Sequence, residues 1–233
     1  MPLPKIDKPL FSLKIPSTGK EVSYRPFLVK EEKILLMASE GGDQKEIFRA
    51  IKQVINNCVV DISFNVDDLA IFDIEYFFIN LRSKSIGNLI QIQITDPDLP
   101  KPITKELDLD KVEIINLKKA PTIKINDTMI LQTRYPKAGL ADINFQENFA
   151  VNLFEIIGYL IDKLYDGDEV YNFSEFSQEE IIEFVQNLPA PVVSEIAEFL
   201  KNMPGVYCKV EYEVNGEKRN VELNSLYDFF ILG

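Results

Sequence analysis

The residue pattern with the clearest potential for chemistry is the acidic run Asp166-Gly167-Asp168-Glu169, which is similar to the start of a calcium-binding loop. An EF-hand loop beginning at Asp166 would need glycine at its sixth position and glutamate at its twelfth. Those positions hold Tyr171 and Ser177, so the ligand pattern fails. The run is therefore predicted to be a polar turn, and no metal site is expected.

No other group of residues forms a recognised catalytic pattern. The chain has no histidine, which excludes a Ser-His-Asp triad, a Cys-His dyad and a histidine-liganded zinc. Ser83, Lys84 and Ser85 would point in different directions at a helix end, which argues against a Ser-Lys nucleophile. Neither glycine-rich phosphate-binding pattern occurs. The sequence thus predicts a protein that is not an enzyme, with no catalytic residue, metal or cofactor.

The composition narrows the class of protein further. The chain has 233 residues, of which 46% are apolar, so it can bury a core as one large or two small domains. Its two cysteines, Cys58 and Cys208, are predicted to be free buried thiols of a protein made in a cytoplasm. The apolar runs Ala70–Leu81 and Val151–Leu164 are interrupted by charged residues, so no membrane span is expected.

Charge is distributed unevenly along the chain. The net charge is −12, and residues 141–205 contain thirteen acidic and two basic residues. Residues 1–60 and 101–140 are each slightly basic, but Lys118, Lys119 and Lys137 are too sparse for a nucleic-acid site. The acidic region is interpreted as a solvated helical surface, and a docking surface for a basic partner is the alternative.

The element pattern predicts an α+β fold. A β-hairpin at Phe11–Ile15 and Val22–Tyr24 is followed by helices over Lys30–Glu40, Asp43–Cys58 and Asp68–Arg82. A β-rich middle then contains the predicted strands Leu89–Ile94, Ile103–Leu109, Val112–Leu117, Thr122–Ile125 and Met129–Arg134.

From Gln146 the apolar spacing becomes helical again. The first helix of this block is expected to place Phe149, Leu153, Leu160 and Leu164 on one face. Helices over Ser177–Asn187, which begins with a capping box, and Val192–Met203 follow. A hairpin of Val206–Val214 and Arg219–Leu223 with an Asn-Gly turn closes the fold before an apolar end. We expect regions 1–140 and 141–233 as two domains, with the boundary near Pro136–Asn144, or else one domain.

Two segments resemble a known protein family. The first comprises Leu3–Ile6, Ile15–Lys20 and the run from Tyr24 to Leu36, which contains RPFLVKEEKILL. The second runs from Phe72 to Gly87. Both are similar to the baseplate hub or hub assembly proteins of T-even-like contractile-tailed bacteriophages. The resemblance supplies signature positions and no catalytic ones: Arg25, Pro26, Phe27, Lys30, Glu31, Glu32, Lys33, Arg82, Lys84 and Gly87.

The resemblance implies a non-enzymatic role in tail morphogenesis, located in the virion tail baseplate and assembled in the host cytoplasm. The expected partners are other baseplate hub or tail proteins, with no nucleic acid. Arg25 is expected to pair with a carboxylate, Pro26 to set the strand-to-helix turn and Phe27 to anchor the first helix. A direct contact role for these positions is the alternative interpretation.

Two other functions stay open on the sequence alone. The first is a tail assembly chaperone that holds an aggregation-prone partner such as the tape-measure protein, which the acidic block and apolar helices would suit. The second is an enzyme with a carboxylate site acting on the host cell wall, because carboxylates are abundant although none forms a distinct pair. The oligomeric state is left open.

Overall fold

The computed structural model describes residues 7–138 and 149–229, with backbone alone for 149–152. The described strands are β1 (Phe11–Lys14), β2 (Glu21–Tyr24), β3 (Leu89–Ile94), β4 (Ile103–Asp108), β5 (Glu113–Ile115), β6 (Thr122–Lys124), β7 (Met129–Thr133), β8 (Ile161–Asp166), β9 (Glu169–Asn172), β10 (Gly205–Val214) and β11 (Glu217–Leu223). The described helices are α1 (Val29–Gly41), α2 (Gln44–Cys58), α3 (Ile71–Ser85), α4 (Phe149–Leu160), α5 (Gln178–Gln186), α6 (Ala190–Lys201) and α7 (Leu226–Phe229). The α+β class is confirmed.

The chain divides into two compact units. Unit 1 comprises Met1–Ile115 and Gly205–Gly233, and unit 2 comprises Asn116–Pro204. Unit 2 is inserted between β5 and β10, which pair antiparallel with Gly205 opposite Ile115. The predicted division between residues 140 and 141 lies outside the described residues and stays a prediction.

The first part of unit 1 follows the sequence pattern closely. Strands β1 and β2 form the expected antiparallel hairpin. Helix α1 is capped at its carboxyl end by Gly42, whose φ of +67° is a left-handed conformation that glycine adopts readily. Asp43 caps α2 by accepting a hydrogen bond from the Lys45 N–H at 2.9 Å. The apolar stripe of α2 is buried, as predicted: Ile47, Phe48, Ile51, Val54, Ile55 and Cys58.

Helix α3 lies in the core of unit 1 because it is apolar on most sides. Phe77, Phe78 and Leu81 are fully buried. The remaining core comes from the β3–β4 pair and from the sheet ordered β11-β10-β5. Phe229 at the end of α7 is also fully buried, whereas the apolar end predicted beyond it lies outside the described residues.

Unit 2 packs helices against a four-stranded antiparallel sheet ordered β6-β7-β8-β9. Its core joins this sheet to α4, α5 and α6. The capping box predicted at the start of α5 is present, since the Ser177 hydroxyl and the Glu180 carboxylate each bond the other residue's backbone N–H.

One sequence prediction in unit 2 was wrong. Leu164 was expected on the helical face shared with Leu160, but it lies in β8, which pairs with β7 and β9. Leucine at a spacing of four fits a helix, yet Ile161 and Leu164 are buried equally well from a strand. The turn between β8 and β9 is the acidic run Asp166–Glu169, with Gly167 at φ +58°. The predicted polar turn is therefore a hairpin turn.

Candidate interaction site at the signature residues

Arg25 joins three elements at the end of β2. Its guanidinium faces the Glu31 carboxylate in a forked pair, with Nη2–Oε1 at 3.1 Å and Nη1–Oε2 at 3.3 Å. Nη2 also donates to the Asn57 carbonyl at 2.8 Å, and the Arg25 N–H donates to the Cys58 carbonyl at 3.0 Å. The expected carboxylate pair is therefore present, and it ties β2 to the start of α1 and the end of α2.

Glu31 holds the beginning of α1. Its side chain is completely buried, and its carboxylate accepts a hydrogen bond from the Leu28 N–H at 2.9 Å. Burial alone would raise the pKa of this carboxyl, but the bonds from Arg25 and Leu28 outweigh burial and hold the pKa below its usual value. Glu31 is thus a buried anion that satisfies a free N–H at the helix start.

The two signature segments meet at Phe27. This side chain is buried, and its backbone N–H donates to the Ser85 hydroxyl at 3.0 Å. Ser85 is the last residue of α3 and belongs to the second signature segment. Pro26 precedes this contact, and its carbonyl accepts from Arg25 Nη1 at 2.9 Å. Residues of both signature segments therefore hold the turn between β2 and α1 in place.

The named positions of the second signature lie in the last turn of α3 or just after it. Gly87 has φ of +139°, a conformation that a side chain disfavours. Arg82 is buried, and burial lowers the pKa of its guanidinium. Lys84 is exposed and forms an ion pair with Asp110 at 3.2 Å. These positions order the end of α3.

Other signature residues face outward. Lys30 and Lys33 are exposed, and Glu32 is half-buried. They share α1 with three exposed apolar side chains, which are Val29, Leu36 and Met37 at 79%, 44% and 63% exposure. Residues 29, 33, 36 and 37 lie on one side of a helix, so we call them the α1 outer face. It offers apolar atoms and a lysine to a partner.

A second exposed apolar feature, in unit 2, was not anticipated from the sequence. Tyr171, Phe173, Phe176 and Phe184 line a groove, which we call the aromatic groove. Phe176 immediately precedes the α5 capping residue, and Ile181 follows it at the distance of a hydrophobic staple. The sequence feature that could have indicated this groove is the pair Phe173 and Phe176, which lies among carboxylates just before the α5 capping box.

Within residues 7–138 and 153–229, no group of three histidine, cysteine or acidic side chains is arranged to hold a metal. The helices of the described ranges include none that is long and apolar enough to cross a membrane. Cys58 and Cys208 are free and buried. Burial raises the pKa of the Cys58 thiol to about 11.

These features define an α+β protein of two units. Its signature residues Arg25, Phe27 and Glu31 connect β2 with α1, α2 and α3, and the α1 outer face stays exposed. The family model for the T4 bacteriophage base plate protein matches residues 8–231, nearly the whole length. The chain belongs to this family and has a structural role in the phage tail baseplate. Comparison with curated proteins and with solved structures gave no match.

Proposed function

We propose that this protein is a structural or assembly component of the baseplate hub, and that it acts through contacts with other phage tail proteins. The observation that carries the proposal is the α1 outer face. It presents Val29 and Met37 to solvent on the helix whose opposite side is fixed by Glu31. Exposed apolar patches with methionine are typical of protein interfaces.

The signature residues divide into two roles in this proposal. One group holds α1, α2 and α3 in place and comprises Arg25, Pro26, Phe27, Glu31, Arg82, Lys84 and Gly87. The other group lies on α1 near the surface that meets a partner and comprises Lys30, Glu32 and Lys33. The role requires no catalysis, cofactor or nucleic acid. In this proposal the protein enters the baseplate during assembly in the host cytoplasm.

A matched pair of variants tests the contact role. Met37→Glu places a carboxylate on the α1 outer face, and Ser39→Glu places the same charge at another exposed position of the same helix. We expect Met37→Glu to lower the yield of completed tails while Ser39→Glu leaves it unchanged, with both chains folded by circular dichroism. Equal yields for the two variants would contradict the contact role of this face.

Mass spectrometry of purified tails separates the two versions of the proposal. A hub subunit is present at a fixed ratio to the other baseplate proteins, and an assembly factor is absent from mature tails but present in their precursors. A chain absent from both tails and precursors would contradict the proposal.

A tail assembly chaperone is the second candidate, because the aromatic groove lies in an acidic surface that could hold an apolar partner transiently. Co-expression with the tape-measure protein tests it. A chaperone raises the soluble fraction of that protein, whereas a hub component leaves the fraction unchanged and forms a stable complex with baseplate proteins.

A further inference from the structure

The aromatic groove of unit 2 is continuous around Phe176. One part has a volume of about 320 Å³ and is lined by Met129, Leu164 and Phe184 together with Phe173, Phe176 and Ile181. An adjoining part of about 240 Å³ shares those last three residues and extends to Gly158 and Tyr159. The ring of Phe176 therefore lies between two depressions, either of which can accept an apolar side chain.

The aromatic rings of the groove are held in fixed positions. The Phe173 centroid lies 5.4 Å from that of Phe184 and 6.3 Å from that of Phe176, and both pairs are edge-on. Tyr171 lies 6.4 Å from Phe176. Phe173 is buried beneath them, while Phe176 remains 41% exposed. A rigid base with an exposed ring above it is suited to anchoring a partner side chain.

The charge around the groove specifies the kind of partner. Residues 166–183 include seven carboxylates and no lysine or arginine. Arg134 lines the adjoining part, but its guanidinium is already engaged, because it faces Asp162 at 3.7 Å and donates to the Tyr159 carbonyl at 2.9 Å. Asp166 and Glu180 line the groove itself, and the exposed Glu169 accepts a hydrogen bond from the hydroxyl of Tyr171, which also lines it. A segment carrying its own carboxylates would be repelled here, and one carrying lysine or arginine would be attracted.

We propose that the aromatic groove binds a segment of another baseplate protein in which an apolar side chain is flanked by lysine or arginine. The apolar side chain fills the depression between Phe176 and Phe184, and the flanking cations face Asp166, Glu169 and Glu180. This inference rests on the proposed function, because it takes the partner from the same assembly. It adds a second contact surface, in unit 2, to the α1 outer face in unit 1.

The hydrophobic staple accounts for only part of the geometry. A staple needs Phe176 to cover Ile181, and both residues do line the same groove. It does not require the ring of Tyr171 to lie 6.4 Å from that of Phe176, or the ring of Phe176 to stay 41% exposed. Partner binding uses both features.

Photo-crosslinking in infected cells tests the inference on the full chain. Phe176 is replaced by p-benzoylphenylalanine in one variant, and Ile62, a fully exposed position of unit 1, is replaced in the control. Baseplates and their precursors are purified after irradiation, and crosslinked peptides are sequenced. We expect the Phe176 probe to capture a segment of another baseplate protein with lysine or arginine beside an apolar residue.

Reversing the charge of carboxylates at the groove is the second test of the inference. Asp166→Lys with Glu169→Lys should lower the Phe176 crosslink about tenfold, because two attractive charges at the groove become repulsive. Glu195→Lys with Glu198→Lys makes the same charge change at exposed positions of α6 and should leave it unchanged. An equal loss in both double variants would overturn the inference.

The crosslinks also separate this inference from the proposed function. A chain that co-purifies with baseplates or precursors but crosslinks no more at Phe176 than at Ile62 overturns the groove and leaves the function standing. Capture of a second copy of this chain, or of an acidic segment, likewise overturns the groove. A chain that co-purifies with neither baseplates nor precursors contradicts the proposed function itself.

Discussion

Arg25 and Glu31 form a forked ion pair, with nitrogen–oxygen distances of 3.1 Å and 3.3 Å, in which the carboxylate is completely buried. The pair is local in sequence, yet it also reaches the end of α2 through the Asn57 carbonyl. Loss of Arg25 leaves the buried Glu31 carboxylate with only the exposed ammonium of Lys30, at 3.3 Å, as a counterion. That loss costs more than the pair contributes in net stability.

Arg25→Ala is therefore expected to lower the free energy of unfolding by about 3 kcal/mol. Arg25→Lys should recover only part of this loss, because an ammonium cannot make the two parallel bonds of a guanidinium. Urea unfolding followed by circular dichroism measures both. Lys30→Ala is the control, because the ion pair of Lys30 with Glu31 comes from a 70% exposed side chain and should be worth less than about 1 kcal/mol. Equal effects of Arg25→Ala and Lys30→Ala would contradict this account.

Glu75 should make stability depend on pH. Burial raises its pKa to about 7, and the backbone N–H of Leu226 offsets only part of this effect. The folded chain then holds the Glu75 proton more tightly than the unfolded chain does. The contribution of protonated Glu75 to the free energy of unfolding is therefore complete below the unfolded pKa, and it is lost as pH rises towards about 7. Glu75→Gln should therefore raise the unfolding free energy relative to wild type by more at pH 8 than at pH 5.

Urea unfolding at these two pH values checks the prediction. Glu40→Gln, at an exposed position of α1, is the control and should change the free energy by less than about 0.5 kcal/mol. A Glu75→Gln effect of the same size at both pH values would show that the titration of Glu75 is not linked to folding.

Gly158 allows α4 and α5 to pack closely. A β-carbon at this position would lie 2.5 Å from the Ile181 Cγ2, which is too near for any side chain. Gly158→Ala should lower the unfolding free energy by about 1–3 kcal/mol through overpacking. The same change at Gly41, where a β-carbon meets no atom within 4 Å, should be close to neutral or slightly stabilising.

Thermal unfolding of both alanine variants tests the contact. In an Ile181→Ala background the cost of Gly158→Ala should shrink, because the obstructing methyl group is gone. An undiminished cost in that background would mean that the close approach to Ile181 is not the cause.

The signature residue Arg25 and the α1 outer face should differ in their effects on stability and assembly. Arg25→Ala is expected to reduce both stability and tail yield, whereas Met37→Glu should reduce tail yield at unchanged stability, since Met37 is 63% exposed. Plaque counts alongside melting temperatures of the purified variants make the comparison. A stability loss in Met37→Glu equal to that in Arg25→Ala would contradict the division of roles.

The elements with strong local signals were predictable from the sequence. The Asn215-Gly216 turn fixed the terminal hairpin, and the double glycine after Glu40 fixed the end of α1. The Arg25–carboxylate pair was expected only because the family resemblance singled out Arg25, and the structure supplies its partner, Glu31. The hairpin of β8 and β9 was missed, since Leu160 and Leu164 also match helical spacing.

Contacts between distant residues were beyond the reach of sequence patterns. The Ser17 N–H donates to the buried Asp73 carboxylate at 2.9 Å across 56 positions. Arg219 pairs with Asp96 at 2.6 Å across 123 positions. The aromatic groove likewise forms only when β8, β9 and α5 fold together. No local periodicity encodes which distant polar groups meet, so the sequence showed the elements but not these connections.

An early stop codon in the phage copy of this gene tests the central claim most directly. Lysates of a non-suppressing host infected with that phage are examined by electron microscopy, and tails with complete baseplates are counted against a suppressing host. The account predicts that complete baseplates are lost without the protein and restored by suppression. Normal numbers of complete, infectious tails in its absence would contradict a role in building the baseplate.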